Sequence, residues 1–212
     1  MREPDPALLR DVERYYTGRL QEHGATARGV DWNSEESQRL RFKELARLWE
    51  NENQGDDLSV IDFGCGYGAL LEYLHDRAGA FEYHGFDISE AMIREANARG
   101  RGARARFTTS LADLTRADYV VASGVFNVKL NSDANVWDEY MTRTIETMAA
   151  LAARGFAFNA LTSYSDPEKR REDLYYADPL RWFDHCKRKY SRFVTLLHDY
   201  PLYEFTILVR NL

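Results

Sequence analysis

The sequence predicts an open, doubly wound α/β sheet of seven strands, mostly parallel with an antiparallel last strand, preceded by N-terminal helices. Three observations carry this. From Leu58 onward, short apolar runs alternate with segments of helical period, the pattern of parallel strands joined by crossover helices. A glycine cluster joins the first apolar run to the first helix without a gap, in LSVIDFGCGYGALLEYL. The last two runs, Phe193 to Leu197 and Tyr203 to Val209, are separated only by His198 to Leu202, too few residues for a parallel crossover.

Residues 1–57 read as a helical cap within the same domain as residues 58–212. Leu8, Leu9, Val12, Tyr15 and Tyr16 form one apolar face, and Leu40, Phe42, Leu45, Leu48 and Trp49 a second. Gly24, Gly29, Asp31 and Asn33 mark the loop between them, and Ser34 is a helix N-cap. Val60, Ile61 and Phe63 make the first strand, with Asp62 near its end, and Leu70, Leu71 and Leu74 the helix after the turn. Strands follow at Phe81 to Phe86, Ala105 to Thr109, Tyr119 to Ser123 and Phe156 to Leu161, with helices at Ser89 to Gly100 and Trp137 to Ala153. Thr162 to Pro179 cannot be continuous helix, because Pro167 and Pro179 interrupt it. A helix at Leu180 to Tyr190 precedes the closing pair.

The 212 residues suffice for one domain with a substantial core. A net charge of −6 gives no global footprint for DNA or RNA, and KRKYSR at 187–192, the one dense basic cluster, reads as a solvated helix end. Cys65 and Cys186 are too few and too far apart for a disulfide framework or a zinc site, so no metal is expected. The charged opening lacks a signal-peptide core, and no apolar run is long enough to cross a bilayer. The expectation is a cytoplasmic monomer or homodimer.

The glycine turn indicates the ligand. A pyrophosphate binder wants G-x-G-x-x-G, whereas here an acid leads three alternate glycines: Asp62, Gly64, Gly66 and Gly68. Asp87 ends the second strand, where an acid accepts both hydroxyls of a ribose bound over strand one. An acid before the turn suits a ligand with an amine and no phosphates, and S-adenosylmethionine has that shape.

VIDFGCGYG followed by GFDIS resembles the first two motifs of the class I S-adenosylmethionine-dependent methyltransferases, over about residues 58–212. The resemblance implies a Rossmann-like fold whose seventh strand closes an antiparallel pair, with S-adenosylhomocysteine as the product. It implies that Asp62, Gly64 and Gly66 line the methionine end, that Asp87 holds the ribose and that Ile88 packs on the adenine. Ser110 and Leu111 stand where many members contact the adenine with an acid after strand three. Either Ser110 or Asp113 would make that contact here. Cys65, within the turn, reads as a small apolar filler.

Methyl transfer from a sulfonium is an in-line displacement, so rate comes from alignment, and a base is needed only if the acceptor carries a proton. Acceptor-side residues should project from the ends of strands four and five. Ser123, Asn127 and Lys129 lie after strand four, the last two able to orient a polar or anionic acceptor. Asn159, inside an apolar strand, is a structural clamp or a site residue. Trp32 staples its loop or covers the ligand, and Tyr175 and Tyr176, in an aromatic-rich irregular stretch, are substrate-lining candidates. His198, beside Asp199, is a candidate base or half of a turn-stabilising pair. The expected function is methyl transfer to an oxygen or nitrogen of a small metabolite. A protein or RNA acceptor, or a non-catalytic cofactor-binding subunit, are the alternatives.

Overall fold

The computed structural model describes residues 6–50, 57–75, 81–99 and 104–211. Gly100, the expected end of a helix, and residues 1–5 of the expected helical cap lie outside these residues. Helices α1 (Pro6–His23) and α2 (Glu35–Ala46) precede strand β1 (Leu58–Phe63). Then come α3 (Ala69–His75), β2 (Phe81–Phe86), α4 (Glu90–Arg99), β3 (Ala105–Thr108) and β4 (Ala117–Ala122). The chain ends with α5 (Ala134–Leu151), β5 (Ala152–Leu161), α6 (Pro179–Lys189), β6 (Phe193–Leu197) and β7 (Glu204–Arg210). The strands form one sheet in the order β3-β2-β1-β4-β5-β7-β6. β7 inserts between β5 and β6 and runs antiparallel to both, which leaves β6 parallel to the first five strands.

Period-two alternation in the strands divides the core between the two faces of this sheet. Ile61 and Phe63 of β1, with Phe205, Ile207 and Val209 of β7, join Trp137, Met141 and Ile145 of α5 and Trp182 of α6. Val60 and Leu208 point the other way, onto Phe42, Leu45, Leu48 and Trp49 and onto Leu70 and Leu74 of α3. The cap thus shares its apolar residues with both faces: Leu8 and Val12 of α1 pack on the first, α2 on the second.

Local chemistry explains where the elements begin. Ser34 caps α2, its Oγ accepting from the Ser37 N–H at 3.1 Å, while Ser37 Oγ accepts from the Ser34 N–H at 3.3 Å. α5 starts three residues before Trp137 because the Asp133 carboxylate accepts from the Asn135 N–H. β5 starts at Ala152 rather than Phe156, directly after α5, since Ala117 of β4 already pairs there. The basic cluster is partly neutralised in place: Arg188 pairs with Asp184 and Lys189 with Glu146, while Lys187 Nζ donates to the Arg192 carbonyl at 2.6 Å.

At the carboxyl edge of the sheet lies a buried polar chain. Arg41 Nε of α2 donates to both oxygens of Glu204 at 3.0 and 2.9 Å, and Glu204 is 1% exposed. Asn159 Nδ2 donates to the same carboxylate at 3.2 Å, while Asn159 Oδ1 accepts from the Gly124 N–H at 2.8 Å. Asn159 is therefore a clamp. Removing one member of a buried pair strands the other charge, at about 3–5 kcal/mol. Glu204→Gln should lower unfolding free energy by about that amount, read as a shifted urea midpoint with the slope unchanged.

Candidate active site

The turn after β1 is shaped by backbone that only glycine adopts cheaply. Gly64, Gly66 and Gly68 have φ of 81°, 54° and 86°. A Cβ on Gly64 would also lie 2.4 Å from Val125 Cγ2, so both conformation and space require glycine there. The Gly64 and Cys65 N–H groups both donate to the Phe86 carbonyl, at 2.7 and 2.9 Å, which binds the turn to the end of β2. Asp87, the next residue, completes the link: Oδ2 accepts from the Gly66 N–H and Oδ1 from the Ser89 N–H, each at 2.9 Å. Each carboxylate oxygen keeps further lone pairs for a ligand.

Gly64, Gly66, Asp87, Ile88 and Ser123 line one small cavity of about 80 Å³. Val12 and Tyr16 of α1 roof it, with Val30, Trp32, Val125 and Tyr140 completing the wall. Ligand pockets usually run to about 300–1,000 Å³, so the cap leaves little free room over the turn. It is held by Thr17 Oγ1 against Ser89 Oγ at 2.8 Å and by Asp31. The Asp31 carboxylate accepts from Tyr15 Oη at 2.8 Å and pairs with Arg19 at 3.3 Å and Arg171 at 3.7 Å.

A second chamber, of about 450 Å³, adjoins the first. Tyr16, Val30 and Trp32 line both. Its other walls include Asn127, Lys169, Arg171, Tyr176 and Glu204. The Trp32 ring is sandwiched: the Arg41 guanidinium lies 3.8 Å from its centroid, and a Cβ on Gly124 would come within 2.4 Å of it. Asn127, 4% exposed, has a fixed amide orientation because its Oδ1 accepts from the Leu161 N–H at 3.2 Å. Its Nδ2, like Ser123 Oγ, has no hydrogen-bond partner among the described residues.

The remaining sequence candidates sit elsewhere. Asp62 is buried below the turn rather than on the cavity wall, 3% exposed, with Tyr83 Oη donating to its Oδ2 at 2.5 Å. Gly68 packs on Phe107 and Ala96. Ser110 and Leu111 stand outside both chambers. Leu111 is 44% exposed, and the Ser110 N–H and the Asp113 carboxylate are taken up by Thr108 Oγ1, at 3.0 and 2.8 Å. Lys129 Nζ donates to the Leu130 carbonyl at 3.2 Å. Tyr175 is drawn into the core, its hydroxyl bonded to the Asp138 carboxylate that also pairs with Arg181. The lining residue of that pair is Tyr176. His198 is exposed beyond β6, its ring against Tyr164 and Phe205 at centroid distances of 5.8 and 6.3 Å. Three strand spacings, roughly 14 Å, separate β6 from β4.

Tyr16 and Val12 read in sequence only as apolar-face residues, and Tyr140 carries no mark there. The one signal is a tyrosine in an otherwise apolar helical stripe. Burial, and then the charges of Asp31, Tyr15, Tyr140 and Asp87, hold the Tyr16 hydroxyl well above its ordinary pKa, which makes it a hydrogen-bond donor near neutral pH and not a base. The Cys65 thiol is likewise pushed well up by burial and then by Asp87 and Asp62, so it is no nucleophile.

A family model described as a methyltransferase domain matches residues 60–155. Over 160 residues the chain is 53% identical to "Putative methyltransferase Rv1506c" of Mycobacterium tuberculosis (strain ATCC 25618 / H37Rv), covering 75% of this chain and 96% of the relative. The chain belongs to the methyltransferase family. Its fold is shared with magnesium protoporphyrin IX methyltransferase from Synechocystis PCC 6803 with bound SAH, at a TM-score of 0.67 and 19% identity over 95% of this chain and 98% of that one. It is shared equally with the DhpI-SAM-HEP complex, at a TM-score of 0.66 and 17% identity over 99% of this chain and 100% of the other.

Two acids of this methyltransferase are poised near neutrality. Burial pushes Asp62 up to about 7, opposed by the Tyr83 hydrogen bond, and pushes Asp87 up to about 6, opposed by the Ser89 and Gly66 N–H groups. Folding therefore favours the protonated carboxyl. For Asp62 this contribution is fully present below the ordinary value of 3.8 and is lost as pH rises to about 7. Asp62→Asn, which cannot ionise, should gain in melting temperature relative to wild type as pH is raised across that window. Thermal melts at both ends of it test this. An equal difference at the two ends would contradict the assignment.

Proposed function

We propose that this methyltransferase moves the methyl group of S-adenosylmethionine to an oxygen or nitrogen of a small-molecule acceptor held in the larger chamber. The observation that carries the reading is the shared wall. The cavity over the glycine turn and the chamber meet at Tyr16, Val30 and Trp32, so a donor over β1 and an acceptor beside Asn127 would face one another there. The residues present suit the donor. Asp87 offers lone pairs to ribose hydroxyls, Gly64 and Gly66 allow backbone to approach the methionine portion, and Ile88 and Met92 supply apolar wall for the adenine. When bound, the sulfonium supplies a methyl group already activated for displacement.

The chain's own part is alignment and exclusion of water. Trp32, held between Arg41 and Gly124, and Tyr16 border both spaces, and in this reading they flank the line along which the methyl group passes. Asn127 lines the chamber, and its buried Nδ2, without a partner among the described residues, makes it our candidate for holding the acceptor once the site adjusts around it. Closure of α1 over the turn removes water from the reacting groups. A chamber of about 450 Å³ is within the usual size of a small-ligand pocket, which favours a metabolite over a polymer.

Methyl transfer from radiolabelled S-adenosylmethionine to pools of small hydroxylated and aminated acceptors tests the activity directly. The donor site is tested by Asp87→Ala. Because both Asp87 oxygens also hold turn N–H groups, the substitution loosens the turn as well as the ribose contact. Affinity for S-adenosylmethionine should fall by about 1.5–3 kcal/mol in calorimetry, with the melting temperature lowered in parallel. Undiminished affinity would sink the ribose assignment.

A further inference from the structure

We propose that the acceptor carries a compact oxyanion, a carboxylate or phosphate group, and that Lys169 selects for it. The proposal rests on the placement of the acceptor in the larger chamber. It follows from which charged groups on the chamber wall are already engaged. Glu204 is satisfied by Arg41 and Asn159. Asp31 is satisfied by Tyr15, Arg19 and Arg171.

Of the cations, Arg41 is spent on Glu204, and Arg171 on Asp173, with Nε to Oδ1 at 3.0 Å and Nη2 to Oδ2 at 2.6 Å. Lys169 differs. It ends the 3₁₀ turn Pro167–Lys169 on the chamber wall, and its ammonium has no hydrogen bond or ion pair among the described residues.

Among the charged groups on the wall, Lys169 alone has no partner among the described residues, so it offers a positive charge and three N–H donors while both lining carboxylates are occupied. A ligand that meets these donors brings lone pairs and negative charge. A cationic acceptor would be repelled at Lys169, and a neutral one would leave the ammonium to water. Charge-assisted bonds of this kind are roughly twice as strong as neutral ones, so the oxyanion end would anchor the molecule at Lys169 while the end to be methylated reaches toward Trp32 and Tyr16.

The test uses the full chain loaded with S-adenosylhomocysteine and titrated with inorganic phosphate and with acetate, followed by calorimetry and, for phosphate, by ³¹P line broadening. At least one anion should bind saturably, and the tighter of the two names the acceptor class. Lys169→Gln should weaken that binding about tenfold or more, and Lys169→Arg should retain it. Lys169 is exposed, so both variants should fold, and thermal melts check this. No saturable binding of either anion, or equal binding by Lys169→Gln, would overturn the proposal. S-adenosylhomocysteine affinity, measured on the same samples, reports separately on the donor site. Its absence in wild type would refute the methyltransferase reading itself, whereas its presence with no anion binding would refute only the acceptor class.

Discussion

The Glu204 carboxylate, at the first residue of β7, joins four parts of the molecule that are distant in sequence. Arg41 brings α2 to it, Asn159 brings β5, and through Asn159 the Gly124 N–H brings the loop that follows β4. Taking these groups out of water is costly, and the cost is offset only while every member is bonded. The chain therefore fixes α2 against the sheet edge with little tolerance. The Arg41 guanidinium also supports the Trp32 ring from one side while Gly124 admits it from the other. The Trp32 ring, which borders both chambers, is in this way an extension of the buried network.

The cavity over the glycine turn depends on the Phe86 carbonyl and the Asp87 carboxylate, which between them receive the N–H groups of Gly64, Cys65, Gly66 and Ser89. Backbone held this way is preorganised before any ligand arrives, so its entropy is not lost again on binding. Asp62 lies beneath it as support, buried and hydrogen-bonded by Tyr83. The closed position of α1 is compatible with a site that opens to exchange its donor and shuts for chemistry. Besides the apolar packing of Leu8 and Val12, the polar contacts that shut it, through Thr17 and Asp31, are few and partly exposed. Such contacts are of the kind that break on accessible timescales.

The irregular segment between β5 and α6 is tied back at several points rather than left as a free loop. Val128 bridges Leu174, Thr162 bridges Ala177, and the Tyr175 N–H donates to the Asn127 carbonyl at 2.8 Å. Tyr175 anchors the segment in the core, which turns Tyr176 and the Lys169 to Arg171 stretch toward the chamber. Arg171, bonded to both Asp173 and Asp31, then connects this wall to the cap. The larger chamber is thus assembled from several segments, and the charge it presents depends on which of their ions have already found partners.

Much of the architecture was legible from residues alone, because it is encoded over short distances. Alternating apolar strands, the Ser34 cap, the prolines after β5 and the short connection before β7 each act on near neighbours, and the strand order follows from them with few alternatives. The glycine turn and Asp87 were readable for the same reason: a turn of positive φ followed by an acid at the next strand end has few uses. Side-chain destinations were a different matter. Tyr175 and Tyr176 are adjacent and chemically alike, yet one is core and the other wall, a choice made by the Asp138 and Arg181 contacts far along the chain. Lys169 carried no local mark at all, and Tyr16 only that of a tyrosine in an apolar stripe. The sequence by itself determined the sheet, the turn and the acid at the end of the next strand, since local sterics and periodicity set them. Only tertiary structure decided which polar groups remain free around the larger chamber, because that depends on which partners packing brings within reach.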